Sequence, residues 1–165
     1  MLVQNLTSIR QLYLDGVTIS AQGTEWSNAL LSMPRLQELS MSGCSLSGSI
    51  DSSLVRLKHL SVIRLDQNQL SATVPETFGT FSNLTTLLLS SLNELTGSFP
   101  KNIFQIMTLT SIDISFNAGL YGSFPDFPVN GSRFRGVPEE AKVAVIDVMM
   151  DALGADRVYS VTWIL

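Results

Sequence analysis

Residues 57–75 read Leu57-Lys58-His59-Leu60-Ser61-Val62-Ile63-Arg64-Leu65-Asp66-Gln67-Asn68-Gln69-Leu70-Ser71-Ala72-Thr73-Val74-Pro75. Leu57, Leu60, Ile63 and Leu65 set a frame, L-x-x-L-x-x-L-x-L, that recurs along the chain. Earlier copies are Leu6, Ile9, Leu12, Leu14 and Met33, Leu36, Leu39, Met41. Later copies are Phe81, Leu84, Leu87, Leu89 and Ile106, Leu109, Ile112, Ile114. Leu39 to Ile63 is 24 residues, Ile63 to Leu87 is 24, Leu87 to Ile112 is 25, and Leu12 to Leu39 is 27. Every frame position is apolar. A fixed period of this length signals stacked structural units, and it is tested before anything else because it decides the architecture.

Each copy continues with a second signature. Leu46-Ser47-Gly48-Ser49-Ile50 has counterparts in 70–75, 95–100 and 120–125, and Cys44, Asn68, Asn93 and Asn117 fall between frame and signature. An Asn at such a bend is expected to bond neighbouring backbone, since buried backbone groups need partners. Asn93 follows an inserted residue, Leu92, so its rung is expected to be irregular. The alternative of an amphipathic helix fits the L-x-x-L spacing but not the recurring Gly and Pro. One unit supplies a short strand, a turn and an irregular return, and cannot bury its leucines alone. Stacking makes one long core under a curved parallel sheet. The expected fold is therefore an α/β-type solenoid: a leucine-rich-repeat horseshoe segment of about five repeats, spanning residues 1–132, with a helix–strand tail over 133–165.

In that tail, Pro138-Glu139-Glu140 suits a helix start, Val143, Ile146, Val148, Met149, Met150 and Leu153 supply an apolar face, and Gly154 suits a C-cap. Val158 to Leu165 reads as a strand. Ala155, Val158, Val161 and Trp163 repeat the frame spacing, and Ile112 to Val161 is 49 residues, close to two repeats. The tail is thus expected to close the stack with a helix and one extra strand.

The 165 residues are 45% hydrophobic and 15% charged with a net charge of −4, which fits a folded domain and offers no basic stripe for nucleic acid. No apolar run reaches the roughly 18 residues needed to span a bilayer, and Met1-Leu2-Val3-Gln4-Asn5 lacks signal-peptide features. No catalytic, metal or cofactor constellation stands out. His59 is the only histidine and reads as a solvated surface residue. Cys44 reads as a rung residue rather than a nucleophile. The carboxylates Asp15, Glu38, Asp66 and Asp113 fall on outward strand positions of separate repeats, where a polar concave face explains them better than paired acid–base chemistry. With Tyr13, Arg64 and Leu88 they form the candidate ligand-binding stripe, for a protein or peptide ligand. Asn5, Asn83 and Asn130 begin N-x-S/T sequons, the candidate glycosylation sites.

The segments 39–48 and Leu95-Thr96-Gly97-Ser98-Phe99-Pro100 resemble plant-type extracellular leucine-rich repeats. Leu12-Tyr13-Leu14-Asp15-Gly16-Val17, with Ile19-Ser20-Ala21-Gln22-Gly23 and Glu25-Trp26, is similar to plant receptor-like proteins of the wilt-resistance type. So are Ile50-Asp51-Ser52-Ser53-Leu54 and Phe124-Pro125-Asp126-Phe127-Pro128 with Asn130-Gly131-Ser132. The resemblance implies a glycosylated receptor ectodomain on the extracellular side of the plasma membrane. It further implies perception of microbial or endogenous ligands in defence or signalling, with a co-receptor kinase as a further partner and no enzymatic activity. The chain departs from that pattern in its few repeats, in lacking a leader, a cysteine-paired cap and a span, and in Ser27 where a Cys commonly follows the Trp. It therefore reads as a partial ectodomain whose Cys44 has lost a disulfide partner. Two other classes compete: a soluble repeat inhibitor of a secreted cell-wall hydrolase, and a degenerate gene product without activity.

Overall fold

The computed structural model describes residues 6–19, 21, 23–121, 143–150 and 156–164. The third residue of each frame lies at the centre of a three-residue strand. These strands are β1 (Gln11–Tyr13), β2 (Glu38–Ser40), β4 (Val62–Arg64), β6 (Thr86–Leu88) and β8 (Ser111–Asp113), and they pair in parallel in that order. Leu12, Leu39, Ile63, Leu87 and Ile112 stand in register across the sheet. The unequal intervals of 24 to 27 residues leave this register intact, because the extra residues are absorbed in the turns. A one-residue slip would carry every inward side chain to solvent, which is why apolar patterning holds the pairing so firmly.

The inward frame residues form one continuous core. Leu36, Leu39, Leu60, Ile63, Leu65, Leu84, Leu87 and Leu89 are fully buried. Leu6, Ile9, Leu12 and Leu14 of the first repeat are only partly covered and pack against the core from one end. Phe78 and Phe81 meet edge-on at 5.3 Å between ring centres within this core.

The return segment is more regular than the sequence suggests. β3 (Ser47–Ser49), β5 (Gln69–Ala72), β7 (Glu94–Ser98) and β9 (Gly119–Tyr121) make a second parallel sheet. Gly97 in β7 has φ of +84°, and a Cβ there would lie 2.7 Å from the Thr73 methyl, so glycine is required twice over. Behind this sheet run helix α1 (Glu25–Leu30) and three 3₁₀ helices, Ser52–Arg56, Glu76–Thr80 and Lys101–Gln105. They form the convex side. The first of these 3₁₀ helices is capped by Asp51, whose carboxylate accepts from Ser53 N–H at 2.7 Å.

Side-chain rungs tie the repeats together. Asn68 and Asn117 are buried and bond only backbone, as expected. Cys44 occupies the equivalent place in the second repeat: its thiol donates to the Leu14 carbonyl at 2.9 Å, and it is free. Asn93 is a correction. The rung position of the fourth repeat holds the fully buried Leu92, whose N–H donates to Asn117 Oδ1 at 3.0 Å, while Asn93 is exposed with φ of +59°. The inserted residue swings Asn93 outward into the left-handed region that Asn tolerates.

The expected tail helix is also corrected. Over Val143–Met150 the chain is strand β10, paired antiparallel with β11 (Asp156–Ile164), which pairs antiparallel with β8. Val143, Val145, Ile146 and Val148 are β-branched and favour an extended backbone, and β11, itself on the edge of β8, supplies ladder partners that a helix would leave unused. Pro138 and Gly154, the expected helix ends, lie outside the described residues, as does the boundary at 132. The extra strand expected near Val158–Leu165 is present, and Val161 pairs with Ile112. Its direction is opposite to that of β8, so this strand does not continue the repeat.

Candidate functional site

The outward positions of the long sheet form three rows. Gln11, Glu38, Val62, Thr86 and Ser111 stand side by side, followed by Tyr13, Ser40, Arg64, Leu88 and Asp113. Asp15, Ser42 and Asp66 follow just past the strand ends, where Gly16 N–H donates to Ser42 O and Gly43 N–H to Asp66 O. Neighbouring strands lie about 4.8 Å apart, so each outward side chain is within reach of the next repeat.

The first three repeats use this proximity densely. Glu38 accepts from Gln11 Nε2 at 3.1 Å through one carboxylate oxygen and from the Tyr13 hydroxyl through the other. Asp15 accepts from Ser40 Oγ at 2.7 and 2.9 Å and from Ser42 N–H at 2.8 Å. Ser42 Oγ in turn donates to Asp66 at 2.8 Å. Two carboxylates of nonadjacent repeats are thus joined through one serine.

The charges follow from these bonds. The bond to Tyr13, then that to Gln11, holds Glu38 below the usual carboxylate range, with Arg64 adding to the effect. The Tyr13 phenol is raised, chiefly by its bond to Glu38. Burial pushes Asp15 upward, but the bonds from Ser40 and Ser42 and the Arg64 charge together outweigh it and lower it. Burial raises the Cys44 thiol, which favours its protonated form.

Of the sequence candidates, Tyr13, Asp15, Glu38, Arg64 and Asp66 come together across β1, β2 and β4. Tyr13 is 55% exposed, and Arg64 is exposed beside the carboxylates whose acidity it strengthens. Leu88 lies one strand beyond Arg64. Asp113 lies one further, with its carboxylate turned to its own turn by the Ser115 N–H at 2.9 Å. Asn83 is exposed; Asn5 and Asn130 lie outside the described residues.

A second feature was not legible from the repeat frame. A cavity of about 180 Å³, lined by Arg10, Arg35, Gln37 and His59, opens on the rim where the chain enters β1, β2 and β4. These four occupy frame x positions of three repeats, and only their stacking brings them together. Among the described residues, no group of three or more His, Cys, Asp or Glu is placed to hold a metal, and no helix is long and apolar enough to cross a membrane.

The parallel ladder, buried leucine frame and backbone-bonding rungs define a leucine-rich-repeat solenoid. A Leucine Rich Repeat family model matches residues 35–57. No curated protein sequence matches the chain. Among solved structures it is similar to ectodomains of plant receptors. One is in the BIR3–SERK2 complex from Arabidopsis thaliana (31% identity over 70% of this chain and 58% of that one, TM-score 0.60). Another is the ectodomain of the Arabidopsis thaliana receptor kinase SOBIR1 (24% identity, 74% and 64%, TM-score 0.64), a likeness of fold. A third is the Arabidopsis receptor kinase HAESA in complex with the peptide hormone IDA and the co-receptor SERK1 (30% identity, 71% and 19%, TM-score 0.62). The chain spans less than two thirds of the length of each.

Proposed function

We propose that this chain is a ligand-recognition module of a plant cell-surface receptor ectodomain, of the receptor-like, wilt-resistance type, serving perception in defence or signalling. It binds a protein or peptide on the concave sheet and does no chemistry on it. The observation that carries this reading is the pre-ordered polar network across β1, β2 and β4, which presents an exposed Tyr13 and Arg64. Tyr and Arg are the residue types that dominate binding hot spots, and their neighbours here are already held by hydrogen bonds, so little ordering cost remains. The HAESA complex, with its peptide and co-receptor, supports a peptide ligand and a co-receptor kinase as the partner classes. The five parallel strands that carry the candidate residues span only about 20 Å, suited to a short peptide or a loop, before β11 and β10 extend the sheet. The same reading takes 1–132 as the recognition domain and 133–165 as a closing segment, supported by β11 on the edge of β8. It places the protein on the extracellular side of the plasma membrane, with glycan on its sequons. The test is binding of the purified chain to an array of plant secreted peptides. Peptides that bind should lose binding with Tyr13→Ala and Arg64→Glu and keep it with Arg56→Glu on the convex side. The opposite pattern would put the site on the other face.

A further inference from the structure

The rim of the sheet carries a regular set of bonds that fails in one place. Immediately before each strand stand Arg10, Gln37, Ser61, Thr85 and Thr110. In the later repeats this row is a ladder: Ser61 Oγ donates to Gln37 O at 3.1 Å, Thr85 Oγ1 to Ser61 O at 2.9 Å, and Thr110 Oγ1 to Thr85 O at 3.1 Å. Two residues earlier, a second row does the same, with Asn83 Nδ2 donating to Lys58 O at 2.9 Å and Thr108 Oγ1 to Leu84 O at 2.7 Å. Short side chains thereby close the rim over repeats three to five.

Over the first three repeats the corresponding positions hold Arg10 and Gln37 in one row and Arg35 and His59 in the other. The cavity opens there. The backbone does not need these side chains. Arg10 O accepts from the N–H groups of Gln37 and Glu38, and Gln37 O from those of Ser61 and Val62. Arg10, Arg35 and His59 are exposed, and no hydrogen bond or ion pair engages their side chains among the described residues. Among the described residues no carboxylate lines the cavity, in a chain whose net charge is −4. Two arginines, each with a guanidinium able to grip an oxyanion through a fork of N–H donors, thus line one concave site together with Gln37 and His59. A concave, single-sign site concentrates the field on an incoming anion.

We propose that this rim pocket is a second ligand subsite, which takes a carboxylate side chain of an acidic peptide. The proposal rests on the concave-face reading in one respect: Arg10 and Gln37 directly precede Gln11 and Glu38, so a peptide on the concave sheet can turn an acidic residue over the rim into the pocket. Concave face and rim would then divide the work, an aromatic and charged surface for the peptide's body and a cationic socket for its acidic residue.

His59, the single histidine, reports on the pocket directly. The experiment follows its ring resonances by NMR at fixed pH and ionic strength, while N-acetylated, C-amidated tetraglutamate is added to the intact chain. A saturable shift is expected, absent with tetraglutamine. Affinity should fall about tenfold, or about 1.4 kcal/mol, for each of Arg10→Gln and Arg35→Gln, as a charge-assisted hydrogen bond is lost. Amide spectra of these surface variants verify that they fold. Arg56→Gln on the convex side should leave the shift unchanged, and a saturable tetraglutamate shift alongside an empty peptide array separates failure of the concave face from failure of the pocket. A shift that does not saturate, or that survives in the doubly substituted chain, would overturn the proposal. So would saturation by trigalacturonate at concentrations where tetraglutamate has no effect, since the pocket would then serve a uronate glycan rather than a peptide.

Discussion

The side-chain amide of Asn68 reaches back one repeat to donate to the Met41 carbonyl at 2.9 Å, and its oxygen accepts from the N–H groups of Cys44 and Leu46, each at 3.0 Å. One buried side chain therefore closes the turn of the second repeat as well as its own, where it also donates to Leu65 O at 2.7 Å. Asn68→Ala would strand several buried backbone groups at once. With each unsatisfied group costing about 1–3 kcal/mol and some relaxation shared among them, the expected loss is about 3 kcal/mol, read by urea denaturation. Asn93→Gly should change stability by less than about 1 kcal/mol, because Asn93 is exposed and its positive φ suits glycine. Equal losses at the two positions would mean that the rung lies at Asn93 after all.

Burial along the frame sets a gradient. Leu87→Ala removes a fully buried side chain flanked by repeats on both sides and should cost about 2–5 kcal/mol. Leu12→Ala, in the partly covered first repeat, should cost clearly less. Leu87→Asp should prevent folding, since an unpaired charge would be buried. Comparable denaturation midpoints for the two alanine variants would contradict a stack with one exposed end.

The Tyr13–Glu38 pair makes the concave face sensitive to pH from both sides. Glu38 is lowered on folding, so its contribution is present above its unfolded value, about 4.3, and is lost as pH falls through the folded value. Asp15 acts in the same direction. Tyr13 is raised, so its contribution is present below about 10 and is lost as pH rises through the folded value. Thermal melts should fall away below about pH 4.3 and above about pH 10. Tyr13→Phe should abolish this face's share of the alkaline loss and soften the acid one. A variant whose melting profile tracks the parent across both ranges would show that the pair is not formed in solution.

Asn83 is exposed, and its side-chain contact is a single bond to Lys58 O at 2.9 Å. Passed through a plant secretory pathway, the chain should carry glycan there, seen as a mass increment that Asn83→Gln removes. Asn83 shares a rim row with Arg35 and His59, so this glycan would stand beside the pocket. Secreted material with Asn83 unmodified would withdraw this support for an extracellular role.

Some of this was readable in the amino-acid order. The inward frame and the register of Leu12, Leu39, Ile63, Leu87 and Ile112 follow from apolar residues recurring at a near-constant interval, because only one alignment buries them all. The outward positions of Tyr13, Arg64 and Asp66 follow from the same alternation. The tertiary structure decided the rest. The strands Ser47–Ser49 and Glu94–Ser98 carry little apolar alternation, so their sheet exists only because stacking brings one return segment beside the next. Leu92 displaced Asn93 from the rung because an inserted residue shifts which side chain faces inward, and packing chose the leucine. β10 took extended form where a helix was expected, since strand preference depends on a neighbouring edge to pair with, here that of β11. Arg10, Arg35 and His59 lie 24 or more residues apart from one another in sequence, and each alone is an ordinary solvated side chain. They become a pocket because the solenoid sets successive repeats one strand spacing apart, a distance that no local pattern encodes.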